Sequence, residues 1–236
     1  RELRIMNRTP VFLLNGMLSG LFIPAALLVA ARTSEQGGIS TLLRQAGSGA
    51  AIVQVLALAL FFTVSGCLSG TASTTLSREG RRFWISQVIP VPWRAQVTAK
   101  FLHTSFVTLV GFLAASLVAV VALRAPAGPV LAAFLLAAVV GTALNLTGFF
   151  VDLARPVLRW TNPQAAIKQN LNVVIALLAN LGLLAIAGLG ASRLLRAGLS
   201  GTTVYLILLG TFLALGALAW NRLQRFAERR YPAIEG

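Results

Sequence analysis

The sequence predicts an all-α, polytopic membrane protein with six transmembrane helices, short cytoplasmic amphipathic helices and both termini in the cytoplasm. Of its 236 residues, 57% are hydrophobic and only 11% are charged, whereas an average globular protein has roughly 25% charged residues. Six apolar runs reach the ~20 residues that a helix needs to cross a bilayer, and none contains Asp, Glu, Lys or Arg. The runs are Val11–Ala31, Ala50–Ala72, Phe101–Leu123, Val130–Phe150, Leu171–Gly190 and Thr202–Trp220.

The positions of the basic residues predict the orientation. Fifteen of the 20 Lys and Arg residues fall in one set of alternating connections and termini, and five fall in the other. Cytoplasmic loops of membrane proteins are enriched in Lys and Arg, so this bias places both termini inside. The net charge of +14 is therefore explained by membrane topology, and a nucleic-acid partner is not expected.

The whole chain, 1–236, is interpreted as one transmembrane domain with four cytoplasmic parts. Residues 1–10 are expected to form an interfacial entry helix, and residues 221–236 form a basic tail. Residues 77–90 and 152–170 are two long cytoplasmic connections. With one cysteine and one histidine, the chain is not expected to hold a catalytic centre, a metal or a cofactor of its own. It also lacks the GxxxxGK[ST] sequence that binds ATP phosphates.

Small-residue motifs occur in two spans, at Gly16–Gly20 and Gly66–Gly70. A GxxxG spacing allows two helix backbones to approach closely, either between subunits or within one chain. Several amides also lie within the spans, where they can bond neighbouring helices or line a path: Asn15, Gln54, Asn145, Asn172 and Asn180. No run contains a carboxylate, so coupling of transport to a proton gradient is not expected.

The first cytoplasmic connection reads as an amphipathic helix over residues 77–90. Helical spacing places Glu79, Arg82 and Ser86 on one side and an apolar set on the other. Pro90 ends this helix, and Pro92 starts the helix that becomes the third span. A helix in this position can pass a movement of a soluble partner on to the transmembrane helices. Alternatively, it can lie on the lipid surface with Trp84 as an interfacial anchor.

The second connection has a local interpretation of its own. Asp152 is expected to pair with Arg155 at i+3. Asn162, followed by Pro163, is typical of a helix start, and the helix is expected to run through Lys168 into the fifth span.

Both connections resemble the permeases of ABC exporters of the second type, and most closely a bacterial subgroup with two cytoplasmic sequence patterns. The first pattern, S-R-E-G-[KR]-x-F-W followed by a proline pair and a lysine, is matched by Ser77, Arg78, Glu79, Gly80, Arg81, Phe83, Trp84, Pro90 and Lys100. The second is matched by Asp152, Pro156, Trp160, Asn162, Ala166, Lys168, Asn170 and Asn172. The segment from Arg1 to Pro10 and the following Leu13-Leu14-Asn15 are also similar to the subgroup's entry helix and first span.

The resemblance implies a permease of the bacterial inner membrane that is driven by a separate cytoplasmic ATP-binding subunit, with ATP and Mg²⁺ held in that partner. It also implies a second permease half or a second copy of this chain. The coupling residues would be Glu79, Gly80, Arg81, Arg82, Phe83, Trp84 and Ile85, supported by Asp152, Arg155, Trp160, Asn162 and Lys168. Among them, Glu79, Arg81 and Arg82 are expected to make polar contacts with the ATP-binding subunit, and Phe83 and Trp84 to be anchors buried in that interface.

Two departures from the family accompany the match. The connection between the fifth and sixth spans, 191–201, is short, and the family's proteins are generally longer. Because the chain also starts at Arg1, we expect it to be the C-terminal half of a longer permease or a trimmed form. The alternatives are a membrane-embedded assembly or scaffold protein without transport activity, and a lipid-modifying enzyme, for which the sequence offers few reactive groups.

Overall fold

The computed structural model describes residues 9–33, 51–67 and 69–234, and this part of the chain is helical throughout, with short connections. Two 3₁₀ helices, Ala72–Thr74 and Ser77–Arg82, lie between the second and third α-helices. The α-helices are α1 (Pro10–Leu13 and Ser19–Thr33, joined by the π-helical turn Leu14–Leu18), α2 (Ala51–Cys67), α3 (Phe83–Val88), α4 (Trp93–Val121), α5 (Ala127–Ala154), α6 (Ala165–Lys168), α7 (Leu171–Arg196) and α8 (Gly201–Arg230).

Six helices in the described residues are long and apolar enough to cross a membrane, which confirms the predicted number of spans. The helices extend beyond the apolar runs, because their ends continue into segments that carry charge. The fourth span thus reaches Ala154, and the last reaches Arg230. As predicted, the third span starts directly after Pro92. The cytoplasmic location of the termini remains a prediction, and the proposed entry helix lies mostly outside the described residues.

The core is formed by α2, α4 and α5, with α8 packed along α5. Phe62, Phe112 and Ala137 lie in it with almost no exposed surface. Glycine permits the closest approach. A Cβ on Gly111 of α4 would lie 2.7 Å from the Cα of Gly66 in α2, and a Cβ on Gly20 would lie 3.2 Å from the Ser65 carbonyl oxygen. The GxxxG glycines Gly20 and Gly66 therefore pack α1, α2 and α4 together within the chain.

Burial differs greatly among the spans. In the most apolar stretch of α5, 44% of the residues are buried, against 6% in α7. The outward side chains of α7, such as Leu178, Ile186 and Leu189, are more than 60% exposed. In a bilayer these surfaces face hydrocarbon, so their exposure is compatible with a membrane-spanning helix.

Two expected helices are shorter than the sequence suggested. Residues 77–90 do not form one continuous helix, because Gly80 has φ 55° and ψ −140° and separates a 3₁₀ segment from α3. The helix after Pro163 is only Ala165–Lys168 and does not run on into the fifth span. A new helix begins at Leu171, where the Asn170 side chain accepts a hydrogen bond from the Asn172 amide.

Candidate functional site

The segment between α2 and α4 starts with ten consecutive buried residues, Thr71–Gly80. Five of them carry a side-chain hydroxyl, which is unusual for a buried stretch. The hydroxyls bond to carbonyl groups of the preceding turn, for example from Thr74 to Gly70 at 2.9 Å and from Thr75 to Thr71 at 2.9 Å. The segment can therefore be buried without leaving these polar groups unsatisfied. We call the Thr71–Gly80 segment, together with the residues that hold it, the junction.

Asp152, near the end of α5, holds the middle of the junction. Its carboxylate has no exposed surface. It accepts hydrogen bonds from the backbone amides of Leu76 (2.6 Å) and Ser77 (3.2 Å) and from the Ser77 hydroxyl (2.5 Å). It also accepts one from the Asn172 side chain of α7 at 3.2 Å. One carboxylate thus ties the 3₁₀ segment to both α5 and α7.

The predicted pairing of Asp152 with Arg155 is wrong. Arg155 is exposed, and its contribution is its backbone carbonyl, which accepts a hydrogen bond of 2.7 Å from the Asn172 side chain. The carboxylate turns toward the junction because two unsatisfied amides at the start of a 3₁₀ helix are available there.

Glu79 links the junction to α4. It forms an ion pair with Lys100, and the two side chains are 1% and 3% exposed. Its other oxygen accepts a hydrogen bond of 2.5 Å from the Ser86 hydroxyl of α3. Glu79 and Ser86 therefore share one side, as predicted, whereas Arg82, which was expected on the same side, is exposed at the surface. The side faces inward, however, so Glu79 is not positioned for the expected polar contact with a partner.

Gly80 and Trp160 fix the turn that leads out of the junction. A Cβ on Gly80 would lie 2.6 Å from the Trp160 ring, and the positive φ of Gly80 favours glycine independently. The Trp160 indole donates a hydrogen bond of 2.8 Å to the Ser77 carbonyl. The two connections that the sequence analysis singled out thus meet at these residues.

Phe83 is completely buried, so it cannot act as the partner anchor that was expected. Its ring packs edge-on against Tyr231, with 5.1 Å between centroids. The Tyr231 hydroxyl donates to the Gln96 side chain at 2.9 Å, and Gln87 donates to the carbonyls of Tyr231 and Ile234. The part of the tail that follows α8 is thereby fastened to α3 and α4. Tyr231 and Gln87 were not predicted as site residues, because no local sequence pattern indicates a contact between positions so far apart in the chain.

Beyond the turn, the segment emerges as a surface of four exposed side chains, Arg81, Arg82, Trp84 and Val88, which we call the tip. Trp84 is 56% exposed and Val88 is 66% exposed. Ile85 is half-buried. Next to it, a groove of about 580 Å³ runs between Arg81, Arg82 and the Trp160 region.

The rest of the second connection is peripheral. Asn162 is exposed, and its side chain accepts a hydrogen bond of 2.9 Å from the Gln164 amide, which forms a local turn. Lys168 is exposed at the end of α6. Asp152 and Trp160 therefore belong to the junction, whereas Arg155, Asn162 and Lys168 flank it.

Within residues 9–33, 51–67 and 69–234 there is no group of three or more His, Cys, Asp or Glu side chains that could hold a metal ion. The contacts described above for the junction are hydrogen bonds and the buried ion pair between Glu79 and Lys100. Comparison with known proteins gives no significant match, whether to a family model, to a curated protein or to a solved structure.

Proposed function

We propose that this chain is the transmembrane permease component of an ATP-driven ABC exporter of the bacterial inner membrane, moved by a separate cytoplasmic ATPase subunit. One observation carries the proposal: an exposed basic and aromatic tip is bonded through buried polar groups to three membrane-spanning helices. The ABC family itself is inferred from the two sequence patterns.

The bonds around the tip give a physical route for movement. A displacement of α3 acts on α4 through Ser86, Glu79 and Lys100, and these are charge-assisted contacts shielded from water. The same segment is held to α5 and α7 through Asp152. Breaking a buried ion pair costs several kcal/mol of free energy. A partner that displaces the tip therefore moves α4, α5 and α7 with it.

The composition of the tip indicates what kind of partner it would bind. Two arginines next to an exposed tryptophan match the residue types that dominate protein interfaces, and their charge favours an acidic surface. The ATP and Mg²⁺ would be bound in the partner, and a second permease half or a second copy of this chain would complete the path through the membrane.

Photo-crosslinking in native cells tests this assignment. A benzophenone amino acid replaces Trp84 in the tip, and a control variant carries it at Phe22, which is 73% exposed on α1. We expect Trp84 to give an adduct with a soluble protein that contains a nucleotide-binding sequence, and Phe22 to give none. An adduct only with another integral membrane protein would favour the scaffold alternative, and adducts with lipid alone at both positions would refute the proposal.

A further inference from the structure

At the end of the bundle opposite the junction, a cavity of about 380 Å³ separates α2 from the C-terminal half of α7. Its walls include Leu56 and Leu60 of α2, Leu184 and Ala187 of α7, and Phe212 of α8. Asn172 belongs to the junction and Ser192 lines the cavity, so the rise of an α-helix places the two regions roughly 30 Å apart. The cavity is thus remote from the tip and its bonds.

The position and lining of the cavity determine what can fill it. It lies among helices that are long and apolar enough to cross a membrane, and aliphatic and aromatic carbon forms nearly all of its wall. Water is not stable in such a space, because it needs several polar partners. The volume falls within the range of small-molecule sites, and the cavity is open to the lipid-facing side, where Leu60 is 51% exposed. A hydrocarbon chain from the surrounding bilayer meets these conditions.

Two polar side chains line the cavity, the buried Thr63 of α2 and Ser192 of α7, and a charged side chain lies beyond the Ser192 end. Ser192 lines the cavity near the end of α7, and Arg196 lies one helical turn beyond it, on the same side. Arg196 is exposed at the end of the helix, where a long side chain can reach the membrane interface. An amphiphile with its chain in the cavity would therefore place its head beside a cation.

We propose that this cavity binds one acyl chain of an anionic amphiphile, with Arg196 contacting the head group. The amphiphile can come from two sources, a membrane phospholipid or a free long-chain acid that enters from the bilayer. The inference requires only that the chain is embedded in a membrane, so it does not depend on the ATPase partner.

Gly188 provides a way to close the site without distorting the fold. It lines the cavity, and a Cβ built on it meets no atom within 4 Å. Gly190, two residues along the same helix, also has open space around its Cβ but does not line the cavity. Gly188→Phe and Gly190→Phe are therefore a matched pair, in which only the first fills the cavity.

The experiment uses the full chain in phosphatidylcholine vesicles and probes that carry a photoreactive diazirine in the acyl chain. One arm uses phosphatidylglycerol and the other uses palmitate, and adducts are mapped by peptide mass spectrometry. We expect adducts concentrated on the cavity walls of α2 and α7, reduced about tenfold by Gly188→Phe, which corresponds to ~1.4 kcal/mol. Gly190→Phe should label like the wild type.

The arms separate the sources, and a further variant tests the head group. If the cavity holds a membrane phospholipid, the phosphatidylglycerol probe labels its walls, and added palmitate does not reduce this labelling. If the cavity holds a free long-chain acid, the palmitate probe labels its walls, and added phosphatidylglycerol does not reduce this labelling. Arg196→Gln should weaken labelling by both anionic probes and leave a diazirine long-chain alcohol unchanged. Equal labelling of all lipid-facing helices, insensitive to Gly188→Phe, would overturn the site, and insensitivity of the anionic probes to Arg196→Gln would overturn the head-group contact.

Discussion

The two ends of the helix bundle are held together in different ways. At the junction, a buried carboxylate, a buried ion pair and an indole donor connect segments that are far apart in sequence. At the other end, α7 leaves an apolar cavity beside α2 and packs with little of its surface buried. The polar end has several specific partners at fixed distances. At the apolar end most contacts are non-directional, and one hydrogen bond of 3.0 Å, from the Tyr205 hydroxyl to the Ala132 carbonyl, joins α8 to α5.

This difference indicates where the molecule is rigid and where it can rearrange. Directional bonds in a dry environment allow one arrangement, because a displaced partner leaves a buried polar group unsatisfied. Apolar helix surfaces that face a cavity and lipid can shift relative to one another at a small cost in free energy, because no specific bond is broken. We therefore expect substitutions at the junction to lower stability strongly and substitutions around the cavity to change it little.

The largest effect is expected from Lys100→Met, which removes the ion pair between Lys100 and the buried Glu79 carboxylate. Removing one member of a buried pair typically destabilises by about 3–5 kcal/mol. The measurement is the thermal unfolding midpoint of the purified chain in detergent. In the double variant Glu79→Gln with Lys100→Met neither member of the pair carries a charge, so much of the loss should be recovered. A double variant as unstable as Lys100→Met alone would show that the pair's charge is not the cause.

Next is Gly80→Ala, where two effects add. The backbone of Gly80, with φ 55° and ψ −140°, lies in a region that residues with a Cβ rarely adopt, at a cost of about 1–3 kcal/mol. The new Cβ would also meet the Trp160 ring at 2.6 Å. Gly198→Ala isolates the first effect, because Gly198 has φ 85° and a Cβ added there would meet no atom within 4 Å. We expect the unfolding midpoint of Gly80→Ala to fall clearly further than that of Gly198→Ala. Equal midpoints would mean that the contact with Trp160 is unimportant.

A smaller loss, about 1–3 kcal/mol, is expected for Gly111→Ala, because an added methyl group there collides with the backbone of α2. Gly182→Ala is the control, since its Cβ would meet no atom within 4 Å. The comparison of unfolding midpoints also tests the intramolecular role of the glycines. If Gly111→Ala were as stable as Gly182→Ala, the close approach of α2 and α4 would be incorrect.

The smallest effect on stability is expected at the tip. Trp84→Ala removes a side chain that is more than half exposed, and exposed substitutions usually change stability by less than about 0.5 kcal/mol. Phe83→Ala, one residue earlier, should lose several kcal/mol because the ring is fully buried against Tyr231. Similar losses of stability from both substitutions would contradict the structure, in which the Phe83 side chain is buried and the Trp84 side chain is exposed.

Much of the architecture was predictable from the sequence, because a charge-free run of about 20 residues is determined locally. Pro92 likewise marks the start of the third span without any tertiary information. The junction was not predictable in detail. Asp152 bonds to Leu76 and Ser77, some 75 residues away, and no local pattern indicates that contact. Helical periodicity paired Glu79 with Ser86 but did not show that the pair faces Lys100. The glycine at position 80 was the available signal for the break in the helix.

The measurement that tests the account most directly is ATP hydrolysis that co-elutes with the chain, purified from native membranes in mild detergent. The tip variant Arg81→Ala, Arg82→Ala and Trp84→Ala is compared with the wild type, and Arg222→Ala with Arg225→Ala, on the exposed side of α8, is the control. We predict ATPase activity with the wild type and the control, and its loss from the tip variant at an unchanged unfolding midpoint. Wild-type activity in the stable tip variant, or no ATPase with any of the three, would contradict the proposal that this chain is driven through its tip.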